Sequence, residues 1–139
     1  MQVAQLYASA SPPRPPCCAP LRAVILFADV AGFSSLTRWM AARYEQGPWV
    51  TCQALNGLFG AMTACVHDHG GDVLKFAGDA LKVVWALPPA EEADTPAGLA
   101  ASAAAAACAA ACAMAMLQLD TAGQPGVPAL SLHIALHAG

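Results

Sequence analysis

Two aspartates carry the clearest chemical signal in this sequence. Asp29 closes an apolar run and leads into Val30-Ala31-Gly32-Phe33-Ser34, and Asp79 stands in Ala77-Gly78-Asp79-Ala80 between two further apolar runs. A pair of carboxylates beside glycine-containing turns suits hard divalent cations. Mg²⁺ takes one or two carboxylates and completes its shell with phosphate oxygens and water. Two such ions can bridge a nucleoside triphosphate, activating an attacking oxygen and neutralising the leaving group. The turn after Asp29 opens a helix, and its free backbone N–H groups, from about Ala31 to Ser34, would hold the phosphates. Taken singly, each aspartate reads as a strand end or a turn residue. The metal chemistry requires that the fold bring the two together.

The elements that must do so are legible from hydrophobic pattern. Residues 1–20 contain Ser11-Pro12-Pro13-Arg14-Pro15-Pro16 and Pro20, and proline denies both helix bonds and ladder donors, so this is an extended, disordered leader. The domain occupies 21–139. Ala23–Ala28 is a short continuous apolar run, as a strand buried on both faces requires. Ser34 or Ser35 caps a helix running toward Tyr44. Gly47-Pro48 breaks it, and helical spacing resumes from Trp49 to about His69, stopped by Gly70-Gly71. Asp72–Phe76 and Leu81–Trp85 read as two strands joined by a tight hairpin. Pro88–Pro96 is an acidic surface loop, Leu99–Leu119 an alanine-rich helix, and Leu130–Leu136 a last strand.

No charge interrupts Pro96–Leu119, a length that would span a bilayer. Alanine contributes little insertion energy and has the highest helix propensity, so the segment reads as a soluble crossover helix and no membrane partner is expected. The order β-α-α-β-β-α-β is the ferredoxin-like α+β sandwich, with helices on one face of an antiparallel sheet. Right-handed crossovers make the first two strands parallel. Asp29 and the hairpin carrying Asp79 then lie at the same sheet edge.

Composition bounds the function. The chain of 139 residues carries six Lys+Arg against nine Asp+Glu, a formal charge of -3, which argues against a nucleic-acid partner. Only 11% of residues are charged and 58% are hydrophobic, much of it alanine, which excludes a disordered, solvating chain. Six cysteines show no CxxC spacing, so a zinc site is not expected. The first twenty residues lack the basic start and apolar stretch of a secretory signal, which predicts a cytoplasmic protein with reduced thiols. Arg14, Arg22 and the absence of an acid before Asp29 also permit an organelle transit segment. His133 and His137 share a strand face but stand about 13 Å apart, too far to chelate one ion.

Phe27-Ala28-Asp29-Val30-Ala31-Gly32-Phe33-Ser34 resembles the opening motif of class III nucleotidyl cyclases, and Gly70–Ala80 resembles the hairpin of the same family. The segment is most similar to the first catalytic half of bicarbonate-responsive soluble adenylyl cyclases. Leu132–Gly139 is similar to the family's next strand. The resemblance implies that Asp29 and Asp79, with the Val30 carbonyl, hold two Mg²⁺ or Mn²⁺ ions. It implies that Gly32, Phe33 and Ser34 form the phosphate-binding turn. Lys75 is implied either as a reader of the adenine ring, favouring ATP, or as a ligand for bicarbonate in a degenerate site. A solvated strand lysine is the plainer alternative. The implied reaction is ATP to cyclic AMP plus pyrophosphate, in cyclic nucleotide signalling. Family sites are completed across a dimer, so a second cyclase half or a homodimer partner is implied. The family's later strands and helix, with the Asn and Arg that orient the ribose and stabilise the transferring phosphoryl, are missing here. The resemblance therefore implies a truncated catalytic half, inactive alone. Two further readings are a regulatory half that binds nucleotide or bicarbonate without turnover, and a structural dimerisation module.

Overall fold

The computed structural model describes residues 20–119 and 128–139. The proline-rich leader and the pair Cys17-Cys18 lie outside the described residues, apart from Pro20. Seven elements follow in order: β1 (Ala23–Ala31), α1 (Phe33–Arg43), α2 (Gly47–Asp68), β2 (Asp72–Ala77), β3 (Ala80–Ala86), α3 (Pro96–Leu117) and β4 (Ser131–Ala138). The sheet order is β2-β3-β1-β4 with every neighbouring pair antiparallel. Because β1 and β2 both run opposite to β3, they are parallel to each other. This is the expected ferredoxin-like α+β arrangement.

Alternation on β1 decides which face holds the core. Val24, Leu26, Ala28 and Val30 are buried on one side, and Leu81, Val83 and Trp85 of β3 join them through the pairs Ala28–Leu81, Leu26–Val83 and Val24–Trp85. Met62 and Val66 of α2 and Ala109, Cys112, Ala113 and Met116 of α3 close over this surface. The spacing of the four α3 residues is i, i+3, i+4, i+7, the stripe of a helix packed on one side. Alanine and cysteine in that stripe bring the helix axis close to the sheet. Thus α3 is the crossover between β3 and β4, as expected. By length and composition alone it is also apolar enough to cross a membrane. Burial, with Cys65 nearby as a smaller cause, pushes the Cys112 thiol from 9.0 up to about 11, so it stays protonated and inert at neutral pH.

Boundaries differ from expectation in instructive places. β1 runs on to Ala31 because β4 pairs with it through Ala31–Ser131. α3 begins at Pro96 because Thr95 caps it, its Oγ1 accepting from the Gly98 N–H at 3.0 Å. α1 is not capped by Ser34 or Ser35. Its N-cap is Gly32, at φ 89° and with no side-chain cap bond. The left-handed backbone turns the chain out of β1 within one residue, so both serines fall inside the helix.

Candidate active site

The sheet edge that follows from these elements brings the two aspartates together. Asp29 stands directly opposite Ala80 in the β1–β3 register. One step further along β1, the Val30 N–H donates to the Asp79 carbonyl at 3.1 Å. The two aspartates are thus on adjacent chains, whose separation in a sheet is about 5 Å. Both are half-buried. In an extended strand the N–H and C=O of one residue point to the same side, so the Val30 carbonyl also faces the hairpin.

The hairpin loop has two residues, Gly78 and Asp79. Gly78 takes φ 69°, the positive value that a two-residue hairpin of the II′ kind demands at its first position. Glycine alone adopts it without a Cβ clash, and Asp79 is thereby placed at the tip beside β1.

The donor set fits a hard cation. Asp29 and Asp79 supply two carboxylates and Val30 a carbonyl, all oxygen, with the remaining positions left to water or substrate phosphate, as Mg²⁺ prefers. Among the described residues, no three His, Cys, Asp or Glu side chains gather into a metal cluster. A cation held by two carboxylates would depend on water or substrate oxygens to complete its shell.

Gly32 and Phe33 form the turn out of β1, and Ser34 lies exposed in the first helical turn. Helix geometry leaves the N–H groups of Phe33, Ser34 and Ser35 without intrahelical acceptors, since the first ladder bond runs from Leu36 to the Gly32 carbonyl. Ala31, expected at the start of that donor set, instead lies in the β1–β4 ladder. A Cβ on Gly32 would stand 2.9 Å from the Ala129 carbonyl oxygen. Replacing Gly32 with alanine therefore adds a steric conflict to a strained φ. The expected result is a loss of about 1–3 kcal/mol in urea unfolding, together with weaker phosphate binding.

Lys75 is exposed on β2, on the sheet face away from the helices. It shares that face with Asp29, yet stands opposite Lys82 of β3, a neighbour the sequence reading did not single out. The two-residue turn sets this pairing, and a β-bulge at Leu74 beyond it, marked by the register shift between Val73 and Lys75, changes the face of Val73. Val73 and Phe76 turn to the helix face, Phe76 meeting Phe59 of α2 edge-on at 5.3 Å. The same face carries a second unanticipated neighbour: His133 of β4 stands directly opposite Asp29.

A sandwich of helices on an antiparallel sheet, with paired acids where β1 meets the hairpin, defines a nucleotide cyclase-like domain. Residues 21–139 match the family model described as "Adenylate and Guanylate cyclase catalytic domain", and the chain belongs to that family. It is 37% identical over 84 residues to adenylate cyclase type 10 of Rattus norvegicus, a match covering 59% of this chain and 5% of that protein. To the same protein of Homo sapiens it is 38% identical over 66 residues, covering 46% of this chain and 4% of the relative. Among solved structures it is similar to the guanylyl cyclase Cya2, with TM-score 0.53 and 26% identity, covering 84% of this chain and 53% of that one. A bacterial light-regulated adenylyl cyclase shares the fold at TM-score 0.57 and 22% identity, covering 86% of this chain and 54% of that one.

Proposed function

We propose that this chain supplies the cation-holding and phosphate-binding part of a site that converts ATP to cyclic AMP and pyrophosphate. The observation that carries the reading is the Val30–Asp79 hydrogen bond with its Asp29–Ala80 register, since it joins two acids fifty positions apart. Asp29, Asp79 and the Val30 carbonyl hold Mg²⁺ or Mn²⁺. When bound, the cations lower the charge on the triphosphate and favour ionisation of the ribose hydroxyl. The turn at Gly32, Phe33 and Ser34 orients the phosphates through backbone N–H groups. The 3′-oxygen then attacks the α-phosphorus, the bond to the bridging oxygen breaks, pyrophosphate departs, and the hydroxyl proton passes to solvent. ATP is favoured by the likeness to adenylate cyclase type 10.

Groups that clamp the transferring phosphoryl are commonly worth about 10²–10³ in rate. In this reading the asparagine and arginine that the resemblance implies for this role come from a second cyclase half or a homodimer partner. The test is calorimetry with Mn²⁺ and a non-hydrolysable ATP analogue, run beside a cyclic AMP assay on the same chain. Metal-dependent binding without turnover is the expected outcome. Binding that ignores the metal would refute the reading, and turnover by the 139-residue chain would refute the need for a partner.

A further inference from the structure

Exposed charge of opposite sign collects at two opposite ends of the domain. The loop 88–96 exposes Glu91, Glu92 and Asp94 at the start of β1. There the Leu87 N–H donates to the Arg22 carbonyl at 2.9 Å, and the Arg22 guanidinium donates to the Pro88 carbonyl at 3.0 Å. The loop is tightly tied. The Glu92 N–H donates to the Pro89 carbonyl at 3.0 Å, and the Thr95 hydroxyl donates to the Glu92 carbonyl at 2.7 Å. The Glu92 carbonyl also lies so close to Gly98 that a Cβ there would not fit. The carboxylates thus stand on an ordered turn, which lowers the entropy cost of docking.

Two arginines gather at the other end. β1 has nine residues, a length of roughly 30 Å, and α1 begins only where it finishes. α2 then runs back across the sheet: its Phe59 meets Phe76 near the hairpin, and its Val66 carbonyl accepts from the Gly71 N–H near the start of β1. Gly47 stands twelve residues ahead of Phe59, roughly 18 Å further out along the helix axis. At this α1–α2 corner the Arg43 guanidinium lies 4.5 Å from the Trp39 ring centroid, and Trp39 meets Tyr44 at 6.0 Å. Arg38 is exposed beside them. Gly47 presses on the Met40 carbonyl, which brings Trp49 to the same corner. Tyr44 is 53% and Trp49 60% exposed, and Glu45 is the one acid between Phe33 and Trp49. Arginine, tryptophan and tyrosine are the types that dominate protein contact energies, and a guanidinium stacked on a ring keeps its donors for carboxylates. The positive end of the α3 dipole favours acids in the loop but has no bearing on the arginines and aromatics at the far corner.

We propose that the corner formed by Arg38, Trp39, Arg43 and Tyr44 docks the Glu91, Glu92 and Asp94 loop of a second copy of this chain, joining copies head to tail. The two patches are complementary in charge and stand too far apart to meet within one molecule. Pro89, exposed beside the acids, adds an apolar ring for the aromatic side chains to pack on. Such a contact is heterologous, so it repeats unless the rotation between copies closes a ring. It uses neither the aspartate site nor the open sheet face and rests on no catalytic assignment. The experiment is sedimentation velocity of the 139-residue chain over a range of concentrations. At low ionic strength the mass is expected to grow with concentration past a dimer. In about 1 M salt, where charges are screened beyond about 3 Å, that growth is expected to stop. Arg38→Glu with Arg43→Glu, and separately Glu91→Lys with Glu92→Lys, should each weaken the association at least about tenfold. All four residues are exposed, and the urea midpoint should not move. Arg38→Gln with Arg43→Gln, a milder change, should weaken association in the same direction. Mixing the two charge-reversed proteins restores opposite charge at every contact and is expected to bring growth back. A native mass independent of concentration, growth that survives either reversal, or a mixture that stays apart would each overturn the proposal. Capture of the native chain by anionic vesicles, lost on reversing the arginines and with no growth in mass, would reassign the corner to a lipid surface and overturn it too.

Discussion

Asp79→Asn is expected to abolish most Mn²⁺-dependent nucleotide binding while leaving the folded state almost untouched. Two different atoms of Asp79 do two different jobs. Its backbone carbonyl accepts the Val30 N–H and so anchors the hairpin to β1, and any residue supplies that atom. Its carboxylate is the group proposed above to make the cation's oxygen shell anionic. Asparagine keeps the size and the turn preference of aspartate and removes only the charge. A lost charged partner of a bound ion costs roughly 3 kcal/mol, or about 10²-fold in affinity. Asp29→Asn is expected to act alike, and the double variant to be little worse than either single one, because residues sharing one ion are not additive. Calorimetry with and without Mn²⁺ reads the binding, and urea unfolding should move by less than about 0.5 kcal/mol. An Asp79→Asn protein that still binds nucleotide in proportion to Mn²⁺ would show that the cations sit elsewhere.

The largest stability effect is expected at Trp85. The residue is 4% exposed and lies in the core between β1 and α2. Its indole N–H donates to the His69 carbonyl at 2.8 Å, so the ring both fills the core and caps the end of α2. Gly71 lies against the ring so closely that a Cβ there would stand 2.7 Å from Cζ2. Trp85→Ala is expected to cost about 3–5 kcal/mol from lost burial and the cavity left behind, a large share of the roughly 5–15 kcal/mol of a typical domain. Trp85→Phe keeps most of the apolar surface and orphans the His69 carbonyl, and should cost about 1–3 kcal/mol. Gly71→Ala overpacks the same contact and should cost about as much. If Trp85→Ala unfolds at the same urea concentration as the native chain, the packing of α2 on the sheet is not as described.

What the sequence disclosed and what it withheld follow a physical line. The meeting of Asp29 and Asp79 was legible because handedness and hairpin geometry constrain topology strongly, and neither depends on fine register. The opposition of Lys75 and Lys82 follows from the hairpin turn and was not singled out, whereas the face taken by Val73 was hidden because it depends on the bulge. Read with strict alternation, Val73 and Lys75 share one face, whereas the extra residue Leu74 places Val73 on the core side and Lys75 on the other. Leu74 itself is 56% exposed, although it sits in what reads as a buried run. His133 opposite Asp29 was equally hidden, since the β1–β4 register follows a long connection that hydrophobic pattern does not fix. Its separation from His137 could be read along one strand, but its neighbour across strands could not. The helix cap failed for a different reason. Serine's preference for the N-cap gave way to a position that needed a positive φ, which only Gly32 in that stretch accommodates.

The irregularity at Leu74 also makes the two rims of the sheet unequal. On β2 the kinked backbone and the adjacent Lys75 ammonium spoil the straight, uncharged ladder that an incoming strand would copy, a device by which proteins resist polymerisation. The opposite rim, β4, runs in unbroken register with β1 from Ser131 to Ala138 and carries no lysine or arginine. Any strand that extends this sheet, from the same polypeptide or another, therefore finds its template on the β4 side.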